Sequence, residues 1–95
     1  MGDVTVKVSG VMESDATLSN HDTGAVVSSG QGPNWTYAGL GSGRYDFAVH
    51  YKGASGGPVK FNITGATTDS ETSYNVPGQP GQFATDDQTL VLKVA

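Results

Sequence analysis

Asn20-His21-Asp22, Asn34-Trp35 and Tyr74-Asn75, with Asp86 further on, are the residues of this 95-residue chain best suited to hold a polar ligand. An indole or phenol ring presents a face on which the C–H groups of a pyranose can stack. Short amides and carboxylates beside such a ring exchange hydrogen bonds with vicinal hydroxyls. The residues therefore suit binding better than turnover. No activated nucleophile is signalled, so the chain is not expected to be an enzyme. His21 and His50 lack the H-x-H or H-E-x-x-H spacing of a transition-metal site. Glu13, Asp15, Asp69, Glu71, Asp86 and Asp87 are oxygen donors of the kind calcium takes, but none stands in the D-x-D-x-D-G spacing. No cofactor is expected; calcium could be held only by donors gathered from separate loops.

Each of these residues also has a plainer use. Asn20-His21-Asp22-Thr23-Gly24 is turn chemistry, in which Asn and Asp bond the local backbone and Gly accepts positive φ. The solvated surface accounts for scattered acids. Large rings fill cores, and Tyr37, Tyr45 and Tyr51 are expected there. Trp35, beside Pro33-Asn34 at a strand start, is expected to stay partly exposed, and Tyr74 lies in a polar segment. Asn34-Trp35-Thr36 and Asn62-Ile63-Thr64 match the glycosylation acceptor pattern, a match that chance supplies in a chain rich in Ser and Thr.

The elements that must carry these residues are strands. Val4, Val6 and Val8 alternate with Thr5, Lys7 and Ser9. Ala16 and Leu18 mark a second strand, and Ala25 to Val27 a short third. Ser28 to Pro33 read as a loop, after which Trp35 and Tyr37 begin a fourth. In the clearest strand Tyr45, Phe47, Val49 and Tyr51 share one face, with Arg44, Asp46, Ala48 and His50 on the other. Val59, Phe61 and Ile63 follow, then an edge strand over 72–76 and a last strand burying Leu90, Leu92 and Val94. Apolar residues never accumulate at 3.6-residue spacing over three turns. The expectation is all-β: an antiparallel β-sandwich of seven to eight short strands, forming a single domain over 1–95. The Gly/Pro/Thr-rich stretch from Gly65 to Asp87 reads as functional loops.

Composition removes several functions. There is no cysteine to supply a disulfide or a thiolate metal site. Net charge is −4 with five Lys and Arg, too few for a nucleic-acid footprint. No apolar run approaches the ~20 residues of a membrane span, and no basic-then-apolar segment opens the chain.

Asp15 to Gly53, with Ala16, Leu18, Thr23-Gly24, Trp35, Tyr37, Gly39-Leu40, Gly43 and Tyr45, resembles the prealbumin-like (Cna-B-type) modules of bacterial surface proteins. Some of those modules carry a Lys–Asn isopeptide bond assisted by Glu. Lys7 occupies a suitable first strand, but Val49 stands at the Glu position and the last strand has no Asn, so no such bond is expected. Residues 43–94, through "GRYDFAVHYKGASGGPVKFNITG" and "TLVLKV", are similar to jelly-roll carbohydrate-binding modules, and "YNVPGQPGQFATDD" resembles the calcium loop of small bacterial lectins. These resemblances imply a β-sandwich located outside the cell or on its surface.

Together the readings give a non-enzymatic, lectin-like module. Its glycan partner would be held by Trp35, Asn34, His21, Asp22, Tyr74, Asn75 and Asp86. Single sites of this kind bind in roughly the millimolar-to-micromolar range, so a homo-oligomer would add avidity. The alternatives are a structural or adhesive spacer, or a secreted toxin or effector subunit that binds a host protein.

Overall fold

A computed structural model describes residues 2–95. The fold is all-β: eight strands and, among the described residues, no helix. In chain order they are β1 (Gly2–Ser9), β2 (Glu13–Asn20), β3 (Val26–Gln31), β4 (Asn34–Leu40), β5 (Gly43–Ala54), β6 (Pro58–Thr64), β7 (Ser73–Asn75) and β8 (Phe83–Val94). They form two four-stranded antiparallel sheets, β4-β1-β6-β7 and β3-β2-β5-β8, packed as a sandwich. The long axis, 43 Å against 19 Å in each other direction, follows the two 12-residue strands β5 and β8.

Period-two patterning sets which side of each strand faces inward. Val4, Val6 and Val8 of β1, Ala16 and Leu18 of β2, and Val59 and Phe61 of β6 are buried. So are Tyr45, Phe47, Val49 and Tyr51 of β5 and Leu90, Leu92 and Val94 of β8. The sheets are joined by rings packed edge to face. Phe47 meets Trp35 at 5.0 Å, Tyr37 at 6.5 Å and Phe61 at 6.4 Å between centroids. Phe61 continues the chain to Tyr51 and Tyr74.

Three expectations are corrected. Trp35 is only 5% exposed, because the alternation that buries Tyr37 carries Trp35 inward as well. The segment read as a loop after Val27 extends β3 to Gln31, since its pairing with β2 continues as far as Asp15↔Gln31. The last strand begins at Phe83, because β5 runs to Ala54 and pairs with β8 along its whole length. Conversely, β3 gives the core nothing: all six residues are exposed, Val26 and Val27 included.

Between β4 and β5 the chain turns through Gly39 to Gly43. Gly39 sits at φ +66°, where a side chain is disfavoured, and its N–H donates to Asp3 Oδ1 at 2.9 Å. Tyr45 closes the corner by donating its hydroxyl to Gly41 O at 2.8 Å. The Tyr37 hydroxyl is buried without a partner among the described residues, and desolvation pushes its pKa up to about 12. Tyr45→Phe should therefore lose about 1 kcal/mol of stability in denaturant unfolding, while Tyr37→Phe loses none. The native state keeps the Tyr37 proton longer than the unfolded chain. Its stabilisation is complete below pH 10 and declines as pH climbs toward 12, a decline that Tyr37→Phe should flatten.

Candidate polar groove

The seven residues expected to form one site are dispersed by the fold. Asn20 Oδ1 accepts from the N–H groups of Asp22 (2.9 Å) and Thr23 (3.0 Å), which sharpens the β2–β3 turn. That turn points His21 and Asp22 back at β5: His21 Nδ1 lies 2.6 Å from Asp46 Oδ1, and Arg44 donates to Asp22 Oδ1 at 2.9 Å. Asn34 is exposed on the other sheet, opposite Lys7 of β1. Trp35 points inward and donates its Nε1–H to Gly30 O at 3.0 Å, so its ring offers no face to solvent. The expected stacking role of Trp35 is thereby corrected.

Tyr74 is half-buried in β7, 6.0 Å from Phe61, with its hydroxyl donating to Glu71 O at 2.5 Å. Burial raises its pKa, and the charge of Glu71 adds to this. Asn75 is exposed at the end of β7 beside Pro58. Asp86 is on the inward side of β8, half-buried, and accepts from Tyr51 OH and Gln88 Nε2, each at 3.2 Å. An expected loop carboxylate is therefore spent on holding a core tyrosine.

A different group converges. Register places Gln31 (β3), Asp15 (β2), His50 (β5) and Asp87 (β8) in one row across the outer face of their sheet. Glu13, Lys52 and Thr85 form the next row. Apart from Asp87, which reaches the site only through its contact with His50, these residues line an open groove of about 420 Å³ together with Met12 and Ser14. Its side wall depends on Gly32, whose peptide bond to Pro33 is cis. A Cβ there would lie 2.4 Å from Ser14 Oγ and 2.5 Å from the Trp35 ring, so no larger residue fits without displacing them. The Trp35 ring thus packs against Gly32 of the groove wall. Phe83, 60% exposed and paired with Ala54, extends apolar surface past the groove end where Lys52 pairs with Thr85.

His50 Nδ1 lies 2.5 Å from Asp87 Oδ1, a charge-assisted contact when the ring is protonated. The Asp87 hydrogen bond raises the His50 pKa. Desolvation opposes the rise, and the charges of Asp87 and Asp15 add to it. The result is a row that alternates amide, carboxylate, imidazole and carboxylate. No group of three or more His, Cys, Asp or Glu among the described residues is arranged to hold a metal ion.

The β5 alternation predicts His50 outward, and Asp15 and Asp87 are among the acids that the sequence offers as oxygen donors. Nothing local linked them. They are 35 and 37 residues from His50, and only strand pairing makes them neighbours. Gln31 gave no signal, because its segment read as a loop.

Comparison with protein-family models, with curated proteins and with solved structures finds no match to this chain.

A proton titration followed by NMR should give His50 a pKa above the ordinary 6.5, falling toward that value in Asp87→Asn. Because the folded pKa is raised, the stabilisation from this pair is complete below about pH 6.5 and is lost as pH rises through the folded value. An unshifted His50 in the parent chain would remove the pair from solution.

Proposed function

We propose that the chain is a non-enzymatic glycan-binding module whose site is this polar groove. The observation that carries the reading is the cross-sheet row Gln31–Asp15–His50–Asp87, flanked by Lys52 and Thr85. A sugar hydroxyl both donates and accepts, so it is matched by donors and acceptors set side by side, not by a field of one sign. The row and the flanking Lys52 supply carboxylate acceptors next to amide, imidazole and ammonium donors. Its side chains stand on paired strands, which hold their spacing better than loops would.

Apolar contact comes from Met12, 60% exposed in the groove lining, and from Phe83 beyond the end of the groove. Phe83 replaces Trp35 as the aromatic ring available to a pyranose face. An open groove of this size suits one or a few sugar units bound weakly. Repetition of the chain in an assembly would convert such sites to useful avidity. The resemblance to surface and carbohydrate-binding modules supports a location outside the cell or on its surface.

The elongated body, 43 Å by 19 Å by 19 Å, favours a second reading as an adhesive spacer that takes no small ligand. A glycan array run with and without calcium separates the two. The groove reading expects signal that persists without calcium. Binding should weaken tenfold or more in His50→Ala and Asp15→Asn, with the β-type circular dichroism spectrum retained, and Phe83→Ala should weaken it less. A flat array supports the spacer, and signal untouched by all three variants removes the groove.

A further inference from the structure

A second cleft lies on the same outer face, roughly 20 Å from His50 along β5. There Arg44 of β5 and Lys93 of β8 are direct cross-strand partners. Like charges set opposite each other in a ladder are destabilising. The pairing uses two of only five Lys and Arg residues, in a chain with nine acids that could have been placed opposite either of them. Arg44 reaches Asp22, but Lys93 has no ion-pair partner among the described residues.

The wall of this cleft is fixed in place. The segment after β6 lies along the free edge of β8, where Thr67 and Lys93 exchange backbone hydrogen bonds at 3.0 and 2.8 Å. Thr68 Oγ1 donates to Val91 O at 2.6 Å, Val91 N–H donates to Ser70 Oγ at 3.1 Å, and Ser70 N–H donates to Thr68 Oγ1 at 3.1 Å. Arg44, Lys93, Thr67, Thr68, Ser70 and Asp69 thereby surround a space of about 300 Å³.

We propose that this cleft is an oxyanion site, taking a sulfate, phosphate or carboxylate group between Lys93 and Arg44. Lys93 supplies an unpaired ammonium. Arg44 supplies a planar fork of donors whose tie to Asp22 is solvent-exposed on both sides and therefore weak. A bound anion would relieve the repulsion between the two cations, which explains why they stand opposite each other. Asp69 is the one acid of the lining and opposes the anion, which predicts weak binding in the parent chain. The site is separate from the groove and does not depend on the glycan reading.

Backbone amide shifts of the full chain, titrated with sodium sulfate, phosphate and acetate against sodium chloride at matched ionic strength, test it. Saturable shifts confined to the amides of Thr67 to Ser70 and Val91 to Lys93 are expected for at least one oxyanion and not for chloride. The preferred anion distinguishes a sulfated or phosphorylated ligand from a carboxylate one. Lys93→Gln should weaken binding tenfold or more, and Lys93→Arg should restore it. Asp69→Asn should tighten it, and His50→Ala should leave it unchanged. Lys93→Gln should also melt no lower than the parent, because it removes a like-charge pair. Shifts that do not saturate, that chloride reproduces, or that survive Lys93→Gln overturn the proposal.

Discussion

The packing of Phe47 against rings from the opposite sheet is the contact on which this sandwich depends. Phe47 is fully buried at the middle of β5, with Trp35 and Tyr37 of β4 and Phe61 of β6 around it, all edge to face. An aromatic pair of this geometry contributes about 0.5–1.5 kcal/mol beyond its buried area. In a small domain whose net stability is of order 5–15 kcal/mol, three such pairs on one ring are a large share. Without cysteine no disulfide is available, so the two sheets rely on this cluster and the aliphatic residues around it.

That use of the rings shapes what remains for function. Trp35, Tyr37, Tyr45 and Tyr51 are all buried, and Tyr74 leans on Phe61, so the surface is left to the outward members of the strands. Most of those outward positions are polar, with Val26, Val27 and Phe83 the large apolar exceptions. On the sheet containing β5 the polar ones pair with their neighbours: Asp46 and Arg44 with His21 and Asp22 of the β2–β3 turn, and His50 with Asp87 across the strands. One end of that face presents mixed donors and acceptors. The other presents two cations together. A single strand, β5, therefore holds the core on one side and two chemically distinct surfaces on the other.

The stretch between β6 and β8, rich in glycine, proline and threonine, has a structural use as well. Its first part, Thr67 to Ser70, satisfies backbone and side-chain hydrogen bonds along the β8 edge that would otherwise be open. Its middle part supplies β7, which ends the other sheet beside β6. The hydroxyls of Thr68 and Ser70 thus stand in for a missing ladder partner, which explains why polar residues dominate there without forming a free loop.

Sequence alone determined the strands with a solvated face, because alternation has a period that only one backbone geometry satisfies. Val4-Val6-Val8, Tyr45 to Tyr51 and Leu90-Leu92-Val94 are buried as the alternation predicts. It also determined the turn at Asn20 to Gly24, whose hydrogen bonds are local. Tertiary structure decided the rest. Alternation puts Trp35 on the same face as Tyr37, but whether that face is covered at the start of the strand depended on the sheet lying across it. Whether Val26 is core depended on its strand lying at an edge, where nothing covers it. Asp15, His50 and Asp87 became one row only through pairing across intervals of more than thirty residues, which no local pattern records.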